Sequence, residues 1–89
     1  MINRDVEIIN KLGLHARAAS KFVKTATGFD CEITVRKGNR SANGKSIMGV
    51  MMLAASRGSV LELTANGADE GQAVAALEKL IKERFGEAE

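Results

Sequence analysis

The chain has no proline, tryptophan or tyrosine, and only three phenylalanines, one cysteine and one histidine. A lone cysteine, Cys31, cannot close an internal disulfide, so a reducing cytosol is the expected setting and a small buried strand residue its expected role. With no second histidine and no cysteine pair, a catalytic zinc site is not expected, and no cofactor is called for. Three aromatics and no GXXG loop leave no stacking platform or backbone clamp for RNA, and a net charge of +2 does not force nucleic-acid binding. No apolar run approaches the roughly 18 residues of a membrane helix, and the N-terminus lacks a signal-peptide layout, so membrane insertion is not expected. Repeats, linkers and low-complexity tracts are also missing, and residues 1–89 read as a single domain. A chain of this size buries only about 60% of its unfolded surface. That suffices for one core, but hardly for a deep substrate cleft as well.

Hydrophobic periodicity supplies the elements. Residues 2–8 alternate, with Ile2, Arg4, Val6 and Ile8 on one side and Asn3, Asp5 and Glu7 on the other, as in a half-buried strand. From Ala16 to about Thr27 the period becomes helical: Ala19, Phe22, Val23 and Ala26 form the stripe, and Gly28 is placed to end it. Cys31, Ile33 and Val35 alternate with Glu32, Thr34 and Arg36, and Lys37-Gly38-Asn39 turns the chain into a short strand from Arg40 to Asn43. Ser46 opens a two-turn helix, Ile47 to Leu53. Val60 to Ala65 is the fourth strand. Asp69 and Gln72 have the spacing of a capping box for a last helix whose apolar stripe is Val74, Leu77, Ile81 and Phe85. The order β-α-β-β-α-β-α, with strands polar on one side, predicts an α+β two-layer open-faced sandwich: a four-stranded antiparallel sheet with three helices on one face.

The histidine, His15, falls where the first strand gives way to the first helix. Helix N-termini present free N–H groups and a positive dipole end, which suits an anion such as phosphate. An idle N-cap or surface histidine fits the same position, but its neighbours weigh against that. Gly13 permits a tight bend, Arg17 can offer a bidentate cation to phosphate oxygens, and the N–H groups of Ala16, Arg17 and Ala18 point toward anything attached to the imidazole. A neutral imidazole is a competent nucleophile, and without a pocket it would accept and donate a group rather than process a substrate.

A second constellation is Gly44-Lys45-Ser46. It is not a P-loop, because the first glycine of that motif would fall at position 39, which is asparagine. Ser46 is a natural helix N-cap, and a phosphate placed there would be favoured by the dipole. Ile47, Met48 and Met51 are either core or an exposed, adaptable docking patch, a use to which methionine is suited, with Gly49 permitting close approach of a partner backbone. Lys21, Lys24, Arg17 and Arg57 form a possible basic patch for an acidic protein partner.

Together, Gly13-Leu14-His15-Ala16-Arg17 and Asn43-Gly44-Lys45-Ser46-Ile47-Met48-Gly49-Val50-Met51 resemble the HPr family, histidine-containing phosphocarriers of the bacterial phosphoenolpyruvate-dependent phosphotransferase system. The resemblance spans essentially the whole chain. It implies that His15 accepts a phosphoryl group on Nδ1 from enzyme I and passes it to a IIA domain, with Arg17 assisting. It also implies that Ser46 is the target of an HPr kinase/phosphorylase, with Ile47, Met48 and Met51 in the shared docking surface. A cytoplasmic, monomeric carrier rather than an enzyme is expected. The alternative is a regulatory binding module, in nitrogen-related or carbon-catabolite control, whose phosphorylation switches partner affinity without onward transfer. One departure concerns the helix start: the family usually has proline after the arginine, where this chain has Ala18, an excellent helix former.

Overall fold

The computed structural model describes residues 1–89. Strand β1 (Ile2–Glu7) leads into helix α1 (Ala16–Thr27), the hairpin β2 (Glu32–Lys37) and β3 (Arg40–Asn43), helix α2 (Ile47–Met52), strand β4 (Val60–Asn66) and helix α3 (Glu70–Lys82). The four strands form one antiparallel sheet in the order β1-β4-β2-β3. The expected sandwich is therefore what the chain builds.

Register explains why one face is buried. Val6 pairs with Leu61, and Ile33 and Val35 pair with Ala65 and Leu63, so inward-pointing apolar residues meet across three neighbouring strands. They pack with Ala18, Ala19, Phe22, Val23 and Ala26 of α1, Val50 of α2, and Ala73, Val74, Leu77 and Ile81 of α3 in one continuous core. The opposite face carries Asn3, Asp5, Glu62, Thr64, Thr34 and Arg36, the polar half of the same alternation. No helix is long and apolar enough to cross a membrane.

Three local expectations give way to tertiary structure. Asp69 is the N-cap of α3 but makes no capping bond; its two carboxylate oxygens accept instead from the N–H groups of Asp30, at 2.8 Å, and Cys31, at 2.9 Å. Those N–H groups lie just ahead of β2, outside any ladder, and a carboxylate that satisfies both outweighs a local cap. The free turn donor at Gly67 N is taken by Glu70 Oε1 rather than by Gln72.

Phe85 likewise is not on α3, which ends at Lys82. Arg84, Phe85 and Gly86 have φ of 55°, 55° and 79°, a left-handed turn that costs each non-glycine residue about 1–2 kcal/mol. Phe85 is nonetheless 1% exposed, and burial of such a side chain contributes about 1.5–3 kcal/mol, comparable with the cost of the turn. Lys21 donates to the Phe85 carbonyl at 2.6 Å, so Lys21 anchors this turn instead of joining a free basic patch.

Gly49, finally, faces inward. A Cβ there would lie 3.2 Å from Ala42 Cβ and 3.3 Å from Ser46 Oγ, so its close approach is to the protein itself.

Candidate functional site

The site is built around the bend that precedes α1. Gly13 adopts φ +69°, and a Cβ at that position would sit 2.5 Å from the carbonyl oxygen of Ala55. That carbonyl accepts from Leu14 N at 2.9 Å, which ties the histidine loop to the segment following α2. Leu14 is buried, and the next residue, His15, becomes the N-cap of α1 with extended backbone, φ −72° and ψ 177°. Its side chain makes no capping bond. The first helical hydrogen bond runs from Ala19 N to His15 O, so the N–H groups of Ala16, Arg17 and Ala18 have no acceptor within the protein. Ala18 is fully buried and the helix begins at Ala16, so alanine at this place preserves the helix start.

The imidazole is 29% exposed and is engaged from one side only: Nε2 hydrogen-bonds the carboxylate of Glu87, whereas Nδ1 has no protein partner. Glu87 is held in turn by Asn10. The Asn10 side chain is fully buried, and its Nδ2 donates to Gly13 O at 2.8 Å and to Glu87 Oε1 at 3.0 Å. Both partners are acceptors, so only the amide nitrogen fits this position. Its Oδ1 is left without a donor. The hydrogen bonds from Asn10 and then from His15 hold the Glu87 carboxyl below the usual glutamate range.

Further bonds from Lys11 to Glu89, through the backbone at 3.0 Å and the side chains at 3.4 Å, lay the tail along the histidine loop. Arg17 is exposed and free of any ion pair, and it borders a shallow depression shared with Lys11, Leu12, His15 and Glu87. The start of α1 thus carries free N–H donors, an uncommitted guanidinium and one unpartnered imidazole nitrogen within four consecutive residues, a set suited to a phosphoryl group on Nδ1.

Ser46 does cap α2: its Oγ accepts from Gly49 N at 3.1 Å. Within α2 only Val50 is buried. Ile47, Met48 and Met51 are 43%, 70% and 37% exposed, joined by Met52 at 67%, so these side chains form an apolar surface rather than core. The His15 and Ser46 side chains share no hydrogen bond; their partners are Glu87 and Gly49 respectively.

Asn10 and Glu87 are the members of the site that sequence reasoning missed. Glu87 lies 72 residues from His15, and neither residue belongs to a local motif. The one available hint was the acidic tail.

Comparison with known proteins adds independent information. A family model described as the PTS HPr component phosphorylation site matches residues 2–83. The chain is 56% identical over 89 residues to Phosphocarrier protein HPr of Neisseria meningitidis serogroup A, with 100% of both chains covered. It is 51% identical to the Cupriavidus necator protein of the same description, again with 100% of both chains covered. The crystal structure of HPr-C-His from Thermoanaerobacter tengcongensis superposes with a TM-score of 0.96 at 49% identity, covering 100% of each chain.

Proposed function

This chain belongs to the HPr family and is a phosphoryl carrier of the phosphotransferase system, not an enzyme, and from that premise we propose that its acceptor is Nδ1 of His15. The observation that carries this reading is the N-cap of α1: a histidine that withholds its side chain from capping, above three unsatisfied N–H groups and beside the unpaired Arg17.

In the proposed transfer the Nδ1 lone pair attacks phosphorus in line with the leaving atom of the donor. The N–H groups of Ala16, Arg17 and Ala18, together with the Arg17 fork, receive the equatorial oxygens as charge spreads over them. Enzyme I is the proposed donor and a IIA domain the acceptor. Both would dock on Ile47, Met48 and Met51, whose exposure on a short helix supports a partner surface. Ser46 is the proposed regulatory site for an HPr kinase/phosphorylase. A phosphate there would keep the cap acceptor and place charge beside the apolar docking residues, slowing transfer at His15 without unfolding the domain. The buried free thiol of Cys31 fits a reducing cytoplasm.

Incubation with enzyme I and phosphoenolpyruvate is expected to add one acid-labile phosphate to the wild-type protein and none to His15→Ala. Labelling of the variant would overturn the assignment.

A further inference from the structure

The tail of the chain enters the histidine site along a route that local structure alone does not favour. Beyond α3 the backbone passes through the left-handed residues Arg84 and Phe85, pinned by burial of the Phe85 ring and by Lys21 on the Phe85 carbonyl. The outcome is delivery of one carboxylate, Glu87, into the gap between Asn10 and His15. We propose that Glu87 is the positioning residue of the site, holding the proton on Nε2 so that the lone pair of the neutral ring lies on Nδ1. The proposal rests on His15 being the phosphoryl acceptor.

A neutral imidazole has one N–H and one lone pair, and an ionised carboxylate can only accept. Facing Glu87, Nε2 must therefore be the donor, which leaves Nδ1 as the nucleophile. A glutamate carboxyl is ionised at neutral pH in any case, and the hydrogen bonds from Asn10 and His15 lower it further. Asn10 restrains the carboxylate from the other side, with one amide hydrogen on Glu87 and the other on Gly13 O, two residues before the histidine. Loop, ring and tail are thus fixed with respect to one another.

The transfer then balances without moving a proton. The N–P bond forms from the Nδ1 lone pair, the bond from phosphorus to the donor breaks with its electron pair leaving on the donor, and the Nε2 proton stays where it is. The ring becomes positively charged as this happens, and Glu87 lies against it to offset that charge, much as a buried carboxylate orients and supports a catalytic histidine elsewhere.

The test compares wild type, Glu87→Gln and Glu87→Ala, each labelled with ¹⁵N-histidine. The wild-type neutral ring is expected to show a protonated Nε2 and an unprotonated Nδ1. Glu87→Gln has one acceptor oxygen for two donors, Asn10 Nδ2 and His15 Nε2, so it is expected to weaken the tautomer preference and give an intermediate rate. Glu87→Ala is expected to lose the tautomer preference and to lower kcat for phosphorylation by enzyme I about tenfold at unchanged KM. A tail serving only as a strap would lower the melting temperature and leave tautomer and kcat as in wild type, and that result overturns the proposal. His15→Ala is run beside these: if it remains unlabelled while Glu87→Ala matches wild type, the positioning role falls and the carrier assignment stands. If His15→Ala is labelled, both fall.

Discussion

Replacing Gly13 by alanine adds a single methyl group at the point where the histidine loop meets the segment after α2. The new Cβ would stand 2.5 Å from Ala55 O and 2.9 Å from Ser56 Cα, both backbone atoms, at a residue with φ +69°. The left-handed conformation costs alanine about 1–2 kcal/mol, and forced overlap in a packed region typically costs about 1–3 kcal/mol more. Reduced freedom of the unfolded chain returns about 0.4–1 kcal/mol. A net loss of about 1–4.5 kcal/mol follows, and in a domain of this size each kcal/mol lowers the midpoint by about 4–8 °C. Ala55 O cannot withdraw without releasing Leu14 N, so the strain is relieved by moving the loop that carries His15.

Gly38→Ala provides the control, because Gly38 has φ +60° but nothing within 4 Å of the added carbon. The difference between the two variants in urea and thermal unfolding, followed by circular dichroism, isolates the contact from the dihedral cost. Gly13→Ala is also expected to accept phosphate from enzyme I more slowly at temperatures where it is fully folded, and Gly38→Ala is not. If the two variants unfold within about 0.5 kcal/mol of each other, the close approach at Ala55 is not what positions this loop.

Two further outcomes are expected. Ser46→Ala removes the cap on Gly49 N and should cost about 1 kcal/mol, whereas Ser46→Asp keeps an acceptor at the cap, stays near wild-type stability and slows phosphorylation of His15; equal rates for Ser46→Asp and wild type would sink the proposed regulation. Asp69 titrates below the usual aspartate range because it accepts first from Asp30 N and also from Cys31 N. Its folded pKa therefore lies below the unfolded value of about 3.9, so its stabilisation is complete above that pH and is lost as pH falls through the lower folded value. Urea midpoints between neutral pH and about pH 2 should decline more steeply for wild type than for Asp69→Asn. Parallel curves would show that the two hydrogen bonds contribute nothing.

The sequence makes legible whatever depends on neighbours along the chain. Alternation of Ile33 and Val35 with Glu32, Thr34 and Arg36 was enough for β2, because one residue in two must turn inward. The N-terminus of α1, with His15 outside and Arg17 inside its first turn, is local in the same sense. Phe85 shows a partial success: helical spacing from Ile81 correctly marks it as core, yet the backbone reaches that depth by a left-handed turn instead of another helical one. Asp69 and Glu87 were hidden for a different reason. Their partners, Asp30 and Cys31 for one and Asn10 and His15 for the other, are chosen by which orphaned donors the completed fold brings within reach.

The strand order has a bearing on how the protein comes into being on the ribosome. β1 hydrogen-bonds only β4, pairing Ile2 with Ala65, so the first strand made has no partner until the fourth has emerged. At a synthesis rate of about 5–20 residues per second, β1 waits for several seconds as an unpaired ribbon. The histidine waits longer still, since Glu87 is translated 72 residues after it. A nascent chain can thus display the entire His15 segment before Glu87, the partner of its imidazole, has been made.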